Sequence, residues 1–273
     1  MKIMDMKPDP VLRPYIDRYW VWEDEGVLPN LFPGTGGELI FQYGGSPIRF
    51  TNANTSKKYT LLTTCGALFQ SRHNQFHLTT DETVKIISIR FRHGALRHFC
   101  RELIVNLVNQ VVNASDLWGD EARTVGMQLT EVNSIQQRIM IIESFVLDLL
   151  QKEFKQIYQW FDRAIHDLYY KDHVCLNTLI RRSDISKRYF QKIFKMNCGT
   201  SPKHFQCIAR FEKTIRYLLL EKRTDYIFPA LEQGYYDQAH FIKHFKQFTQ
   251  MTPREYLREE NFKTHFYNNS LSY

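Results

Sequence analysis

The sequence predicts an α+β protein: an N-terminal antiparallel β domain, barrel or sandwich, with flanking helices, then an all-α domain of two tandem helix-turn-helix units. Three observations carry this. Short β-type runs broken by turn residues occupy positions 30 to 92, helical periodicity begins at Ala95, and the C-terminal part holds both an internal repeat and the excess positive charge.

With 273 residues, 43% hydrophobic and 24% charged, the chain can bury one or two cores, which excludes disorder, collagen and small disulfide scaffolds. The longest apolar stretch, Ile139 to Leu150, is interrupted by Glu143 and Asp148 and falls short of the roughly 20 residues that cross a bilayer. No apolar signal core follows Met1, so no membrane partner and a cytoplasmic protein are expected. Cys65, Cys100, Cys175, Cys198 and Cys207 form no CxxC pair, which fits a reducing compartment and argues against a thiolate zinc site.

In the β region, Leu39 to Tyr43 precedes the turn Gly44-Gly45-Ser46-Pro47, and Tyr59 to Thr64 reads as a further strand. In Val84 to Phe91, Ile87, Ile89 and Phe91 alternate with Ser88 and Arg90, the period of a half-buried strand. Leu96, Phe99, Leu103, Leu107 and Val111 then share one helical face. Residues 113 to 134 read as a loop with a turn or two. Ile135, Ile139, Ile142, Val146 and Leu149 form the seam of a packed core helix, with a dimer contact left open. This sets one domain at 1–154, β-rich to about 92 and helical from about 95, and a helical domain at 155–273.

Charge separates the halves. Residues 1–154 hold 16 Lys+Arg against 17 Asp+Glu, and residues 155–273 hold 20 against 12, giving −1 and +8. A near-neutral domain joined to one that meets a polyanion is implied.

Within the basic part, Arg188 to Phe205 overlies Ala239 to Tyr256 at an offset of 51 residues, with five of 18 positions identical. Two copies are too few for a solenoid and read as two similar helical units, at about 174–197 and 226–249. In the first, Leu176, Leu179 and Ile180 face the core of a short helix, Ser183 to Ile185 turn, and Ser186 caps the next helix. There Phe190, Ile193 and Phe194 point inward while Arg188, Gln191, Lys192 and Lys195 point outward. In the second, Ala230 and Leu231 lead, Gly234 to Tyr236 turn and Asp237 caps; Phe241, Phe245 and Phe248 are inward, and Gln238, Ala239, Ile242, Lys243 and Lys246 outward. A guanidinium and an amide able to read base edges, beside lysines suited to phosphates, point to double-stranded DNA. A connecting helix of about 18 residues within Pro202 to Glu221 would span roughly 27 Å, suited to holding two recognition helices near the roughly 34 Å between successive major-groove turns.

Other features carry less. Gly34, Gly36, Gly37, Gly44 and Gly45 lack a following Gly-Lys-Ser/Thr and read as turns. His73 and His77 lack a third metal ligand, Cys198 and Cys207 read as structural thiols, and His240 as a packing or capping residue.

At these residues the sequence resembles the AraC/XylS family of bacterial transcription regulators. The resemblance covers about Leu168 to Leu257 and is most specific at Gly234-Tyr235-Tyr236-Asp237-Gln238-Ala239-His240-Phe241, Lys243, Phe245-Lys246, Thr252-Pro253 and Tyr256. The first unit matches through Leu176, Leu179, Ile185-Ser186, Arg188-Tyr189-Phe190, Phe194-Lys195, Gly199 and Ser201-Pro202. Ile180 stands where the family usually has Ala, Asp184 and Gln250 where it has Gly, and Pro229 lies inside a leading helix. Pro14-Tyr15-Ile16, Tyr19-Trp20, Phe32-Pro33 and Glu38 to Phe41 look like the sensor halves of some members, which implies a cupin-like domain that binds an effector, dimerises, or both.

The resemblance implies base and phosphate contacts from Lys187, Arg188, Gln191 and Lys192 and from Gln238, Ala239, Ile242 and Lys243, and RNA polymerase as a partner. The expectation is thus a sequence-specific DNA-binding regulator, not an enzyme, reading two adjacent major grooves, with a small-molecule effector and a homodimer left open. It assigns no cofactor, catalytic or metal residue. The alternative is a DNA-directed enzyme such as a cysteine-dependent alkyl transferase.

Overall fold

Alternating apolar runs place nine strands in two antiparallel sheets. The computed structural model describes residues 2–25, 28, 31–70, 74–154, 158–171, 173–221 and 223–258. Strands β1 (Lys2–Met6), β2 (Ile16–Glu25), β8 (Thr83–Phe91), β3 (Glu38–Gly45), β6 (Gly66–Phe69) and β9 (Val111–Asn113) form a six-stranded sheet in that spatial order. Strands β5 (Lys58–Leu61), β4 (Ile48–Asn52) and β7 (Phe76–Thr79) form a three-stranded sheet that packs its apolar face on the larger one. Of the two architectures open to the sequence, the sandwich describes this arrangement. β1 and β2 precede the region read as β-rich, and the strand begun at Tyr59 stops at Leu61, because Thr64 sits at φ 70° in a turn.

The central strand β8 departs from the half-buried expectation: every residue from Ile86 to Phe91 is buried. Ile87, Ile89 and Phe91 face the helices outside the sheet, and Val84 and Ile86 face the small sheet. Ser88 and Arg90 continue that inner face, where Arg90 is paired in register with Glu38 of β3. One end of the sandwich interior is therefore ionic.

Two helical readings are corrected. Residues 95–111 form no single helix. A 3-10 turn (Ala95–His98), a one-turn helix α1 (Ile104–Leu107) and β9 take their place, since Leu103 and Val108 are extended and Asn109 adopts φ 59°. Leu96, Phe99 and Leu107 are buried, Val111 is half-buried and Leu103 is exposed, and β9 adds its edge to β6. Conversely, residues 113–134 are mostly helix: α2 (Ala114–Glu131) buries Trp118, Ala122, Val125 and Leu129. Its polar first residues and Gly119, whose φ 58° and ψ −138° kink the helix, mimic a loop in sequence. The helix α3 (Ile135–Glu153) appears as read, burying Ile139, Ile142, Val146 and Leu149 against the outer sheet face.

The remaining helices are α4 (Gln159–Tyr170), α5 (Leu176–Arg182), α6 (Lys187–Cys198), α7 (Pro202–Leu220), α8 (Ile227–Glu232), α9 (Gln238–Thr249) and α10 (Pro253–Tyr256). α4, α5, α6 and the start of α7 share one core around Phe161, Phe190 and Phe194. The second unit shares its core with the sandwich: Phe211, Ile215, Phe241, Phe245 and Tyr256 are continuous with Trp20, Phe50 and Phe69, and the rings of Phe32 and Tyr256 lie 5.2 Å apart. No helix among the described residues is long and apolar enough to cross a membrane.

Candidate nucleic-acid interface

The 51-residue repeat is a repeat of helix-ending chemistry. Ser186 accepts a hydrogen bond from the Tyr189 amide to open α6, and Asp237 accepts one from the His240 amide to open α9. Both helices run 12 residues and end in a left-handed residue, Gly199 at φ 73° and Gln250 at φ 58°. Ser201 and Thr252 then cap α7 and α10, each with proline at the first helical position. Gln250 thus adopts the conformation that glycine adopts at no steric cost, and Asp184 does the same at φ 52° in the first turn.

Each unit presents one face. Phe190 and Phe194 of α6, and Phe241, Phe245 and Phe248 of α9, are buried. Ser186, Lys187, Arg188, Gln191, Lys192 and Lys195 are exposed, as are Gln238, Ala239, Lys243 and Lys246, while Ile242 is half-buried. None of the six cations forms an ion pair among the described residues, so their charge faces solvent or a ligand. Pro229 lies within α8, which is only six residues long and buries Pro229 and Ala230 while leaving Leu231 exposed.

The face is wider than the sequence reading made it. Tyr236, in the turn before α9, is 89% exposed. Arg181 and Arg182 on the last turn of α5 are exposed too, as are the repeat-related Lys203 and Arg254. The repeat itself was the signal for the last pair, since both follow the capped proline.

The connector α7, at 19 residues, is about 28 Å long. Midway along it, Glu212 enters the ionic end of the sandwich. Its carboxylate accepts hydrogen bonds from Arg90 Nη2 (2.7 Å), from the Thr35 hydroxyl (2.7 Å) and from the Thr35 amide (3.1 Å). The same guanidinium reaches Glu38 at 3.3 Å, and Ser88 also donates to Glu38. Burial pushes Glu38 up to about 7, the pull of Arg90 being too weak to offset it. Burial acts on Glu212 too, but Arg90 and the two Thr35 donors outweigh it and hold this carboxyl below its ordinary value. Burial pushes the neighbouring His93 down to about 3. Gly36 lets the Thr35 loop lie on β8: a Cβ there would stand 2.0 Å from the Phe91 carbonyl oxygen, so the glycine serves close approach rather than phosphate binding. Gly45, at φ 84°, turns between β3 and β4.

Sequence reasoning passed over this clasp. It joins residues more than a hundred positions apart, and Ser88 and Arg90 have the period of a solvated face.

The remaining candidates separate. All five cysteines are free, and Cys198 is buried. Burial pushes the Cys207 thiol up, whereas hydrogen bonds from Thr178 pull the exposed Cys175 thiol down at the start of α5. His240 packs on Tyr235 and accepts from the Tyr236 amide. His73 lies outside the described residues, and His77 is exposed on β7. No cluster of three or more metal-ligating side chains occurs among the described residues.

Known proteins resemble both halves. A family model described as a helix-turn-helix domain matches residues 179–259, and one described as a domain of unknown function (DUF6597) matches residues 4–113. An uncharacterized HTH-type transcriptional regulator of Haemophilus influenzae is 32% identical over 83 residues, 30% of this chain. The chain spans 28% of the length of that relative. A solved structure of ToxT from Vibrio cholerae superposes with a TM-score of 0.52 at 13% identity, covering 88% of this chain and 97% of that one. ToxT bound to (E)-4-(8-methylnaphthalen-1-yl)but-3-enoic acid gives 0.52 at 12% identity, covering 88% and 98%. These are likenesses of fold. Two capped and repeated helix-turn-helix units joined by one long helix account for the helix-turn-helix match over residues 179–259.

Proposed function

We propose that the chain is a sequence-specific DNA-binding transcription regulator that sets α6 and α9 into adjacent major grooves. The observation that carries this reading is the recurrence, 51 residues apart, of two equal helices with the same capping geometry, buried aromatic faces and exposed cations that form no ion pair among the described residues. A solvated face has no need to recur in register with equivalent caps. Arg188, Gln191 and Gln238 supply the groups that read base edges, Lys187, Lys192, Lys195, Lys243 and Lys246 contact phosphates, and Ile242 with Ala239 offers an apolar surface to a thymine methyl.

In this reading residues 1–154 are the regulatory part and residues 155–273 the DNA-binding part. A small-molecule effector controls the protein through the first, as the ligand-bound ToxT structure suggests for a chain of this fold. Homodimerisation through the N-terminal part, contact with RNA polymerase, and work in the cytoplasm on nucleoid DNA belong to the same proposal. Selection of bound sites from random duplexes by the purified full chain tests it. Enrichment of a motif with two half-sites supports the reading, and unenriched sequence with uniform affinity refutes it.

A further inference from the structure

The two helix-turn-helix units have separate apolar cores, and α7 belongs to both. Phe205 and Ala209 face the core of the first unit, whereas Ile208, Phe211 and Ile215 face that of the second. A shared helix fixes the distance between two bodies packed along it, but the angle between them stays free unless contacts off its axis hold it. On DNA the angle matters, because each base pair added between two half-sites moves the second by about 3.4 Å and turns it by about 35°.

Such contacts exist where the turn of the second unit lies beside the loop that leads into α5. Gln206 of α7 donates from Nε2 to the Val174 carbonyl at 3.0 Å, which ties that loop to the connector. One turn further along α7, the Arg210 guanidinium lies over the Tyr235 ring of the second unit, 5.4 Å from its centroid. Between these two attachments the units touch: a Cβ on Gly234 would stand 3.6 Å from His173 Cε1 and 3.8 Å from Arg210 Nε. Gln206 and Arg210, four apart, share one face of α7, while Glu212 projects from the opposite side into its clasp. Arg210 is half-buried and forms no ion pair among the described residues, so its charge is committed to the ring. A guanidinium over an aromatic face is attracted by the ring quadrupole, and its planar shape lies flat where an ammonium does not. Tyr235 is buried against Phe241 of α9, 5.0 Å between centroids, so a hold on this ring is a hold on the start of the second recognition helix.

We propose that Arg210 is a positioning residue that braces the second unit against the first, sets the angle between α6 and α9, and with Gln206 makes the protein select the number of base pairs between its two half-sites. The selection rests on the regulator reading, whereas the brace is a property of the free chain. A pair of helices held at one angle before binding meets one spacing without rearrangement, and any other spacing must first break the brace.

Two measurements on the full chain test it, the first without DNA. Spin labels carried by unnatural amino acids at the exposed, repeat-related Lys195 and Lys246 report the distance between the recognition helices and avoid the exposed Cys65 and Cys175. The distance distribution should be narrow in the otherwise unaltered chain, and should broaden or shift in Arg210→Ala and in Gln206→Ala at an unchanged circular dichroism spectrum. The second measurement, on unlabelled chain, compares affinity for the selected site with affinity for the same half-sites set one base pair further apart. The wild type should lose at least about tenfold on the longer site. In Arg210→Ala that ratio should shrink at least about threefold, with Arg210→Lys between the two. A residue needed only for folding would weaken both sites alike and leave the ratio unchanged. An unchanged distance distribution in the folded variants, or an unchanged ratio in Arg210→Ala, overturns the proposal; should Arg210→Ala unfold, Gln206→Ala carries both readings. If the wild type binds no DNA selectively, the regulator reading fails and the distance measurement alone decides the brace.

Discussion

Arg90 serves two buried carboxylates, and this imbalance makes stability depend on pH. The folded chain holds the Glu38 proton up to about 7, whereas the unfolded chain releases it near 4.5. Between those values the folded state binds more protons at Glu38, so the contribution of this group falls as pH rises and flattens above about 7. Glu212, held low, acts in the opposite sense and below that window: its contribution is present above its unfolded value and is lost as pH falls through the folded one. His93, held down at about 3, acts in the opposite sense up to about pH 6.5, so the Glu38 contribution is read as the stability difference between the wild type and Glu38→Gln, which should fall in denaturant unfolding from about pH 5 to about pH 8. A difference that rises across this window would contradict the assignment. At Gln250, removal of the side chain relieves the left-handed backbone, so Gln250→Gly should stabilise by about 1 kcal/mol and raise the melting temperature. Cap residues such as Ser186 and Asp237 are legible in sequence because capping is local. Arg90 and Glu38 are not, because their partner Glu212 arrives from a distant helix.

At the scale of the element, legibility depended on whether periodicity had a competitor. α3 and α6 to α9 show clear apolar spacing between strong stop signals, so each is readable. In α2 the Asn-Ala-Ser-Asp start and Gly119 imitate a loop, although Trp118, Ala122, Val125 and Leu129 keep a helical stripe. From Leu96 to Val111 the same stripe occurs without a helix, because each short piece buries its apolar residue against the sheet separately. Apolar spacing marks what is buried and leaves open the backbone that buries it. For the recognition helices, the two classes of side chain should part in binding assays. Lys192→Ala and Lys243→Ala should weaken binding similarly on all sequences and each lower the salt slope by about 1. Arg188→Ala and Gln191→Ala should cost about 1 to 3 kcal/mol on the selected site and relax preference at individual base pairs. Titrations on specific and unrelated duplexes at several salt concentrations separate these outcomes.

The whole molecule is held together by more than the linker between its two parts. The second helix-turn-helix unit continues the apolar interior of the sandwich, and α1 lies against the end of α6: a Cβ on Gly199 would stand 2.3 Å from a Val108 methyl. The Arg90 and Glu212 clasp pins the middle of α7, the helix that spaces the two recognition helices. The charge asymmetry and the repeat were enough to read a neutral part joined to a basic part of two helix-turn-helix units, but the seam between them, with its clasp, depends on pairings of distant residues that no local pattern records. A chain so joined can pass a change in its N-terminal part to the spacing of α6 and α9. That spacing is the central claim, and hydroxyl-radical footprinting of the full chain on its selected site tests it most directly. The account predicts two protected patches on one face of the duplex, about 10 base pairs apart, with the matching patch weakened by Arg188→Ala or by Gln238→Ala. A single protected patch, or equal protection of unrelated DNA, would contradict it.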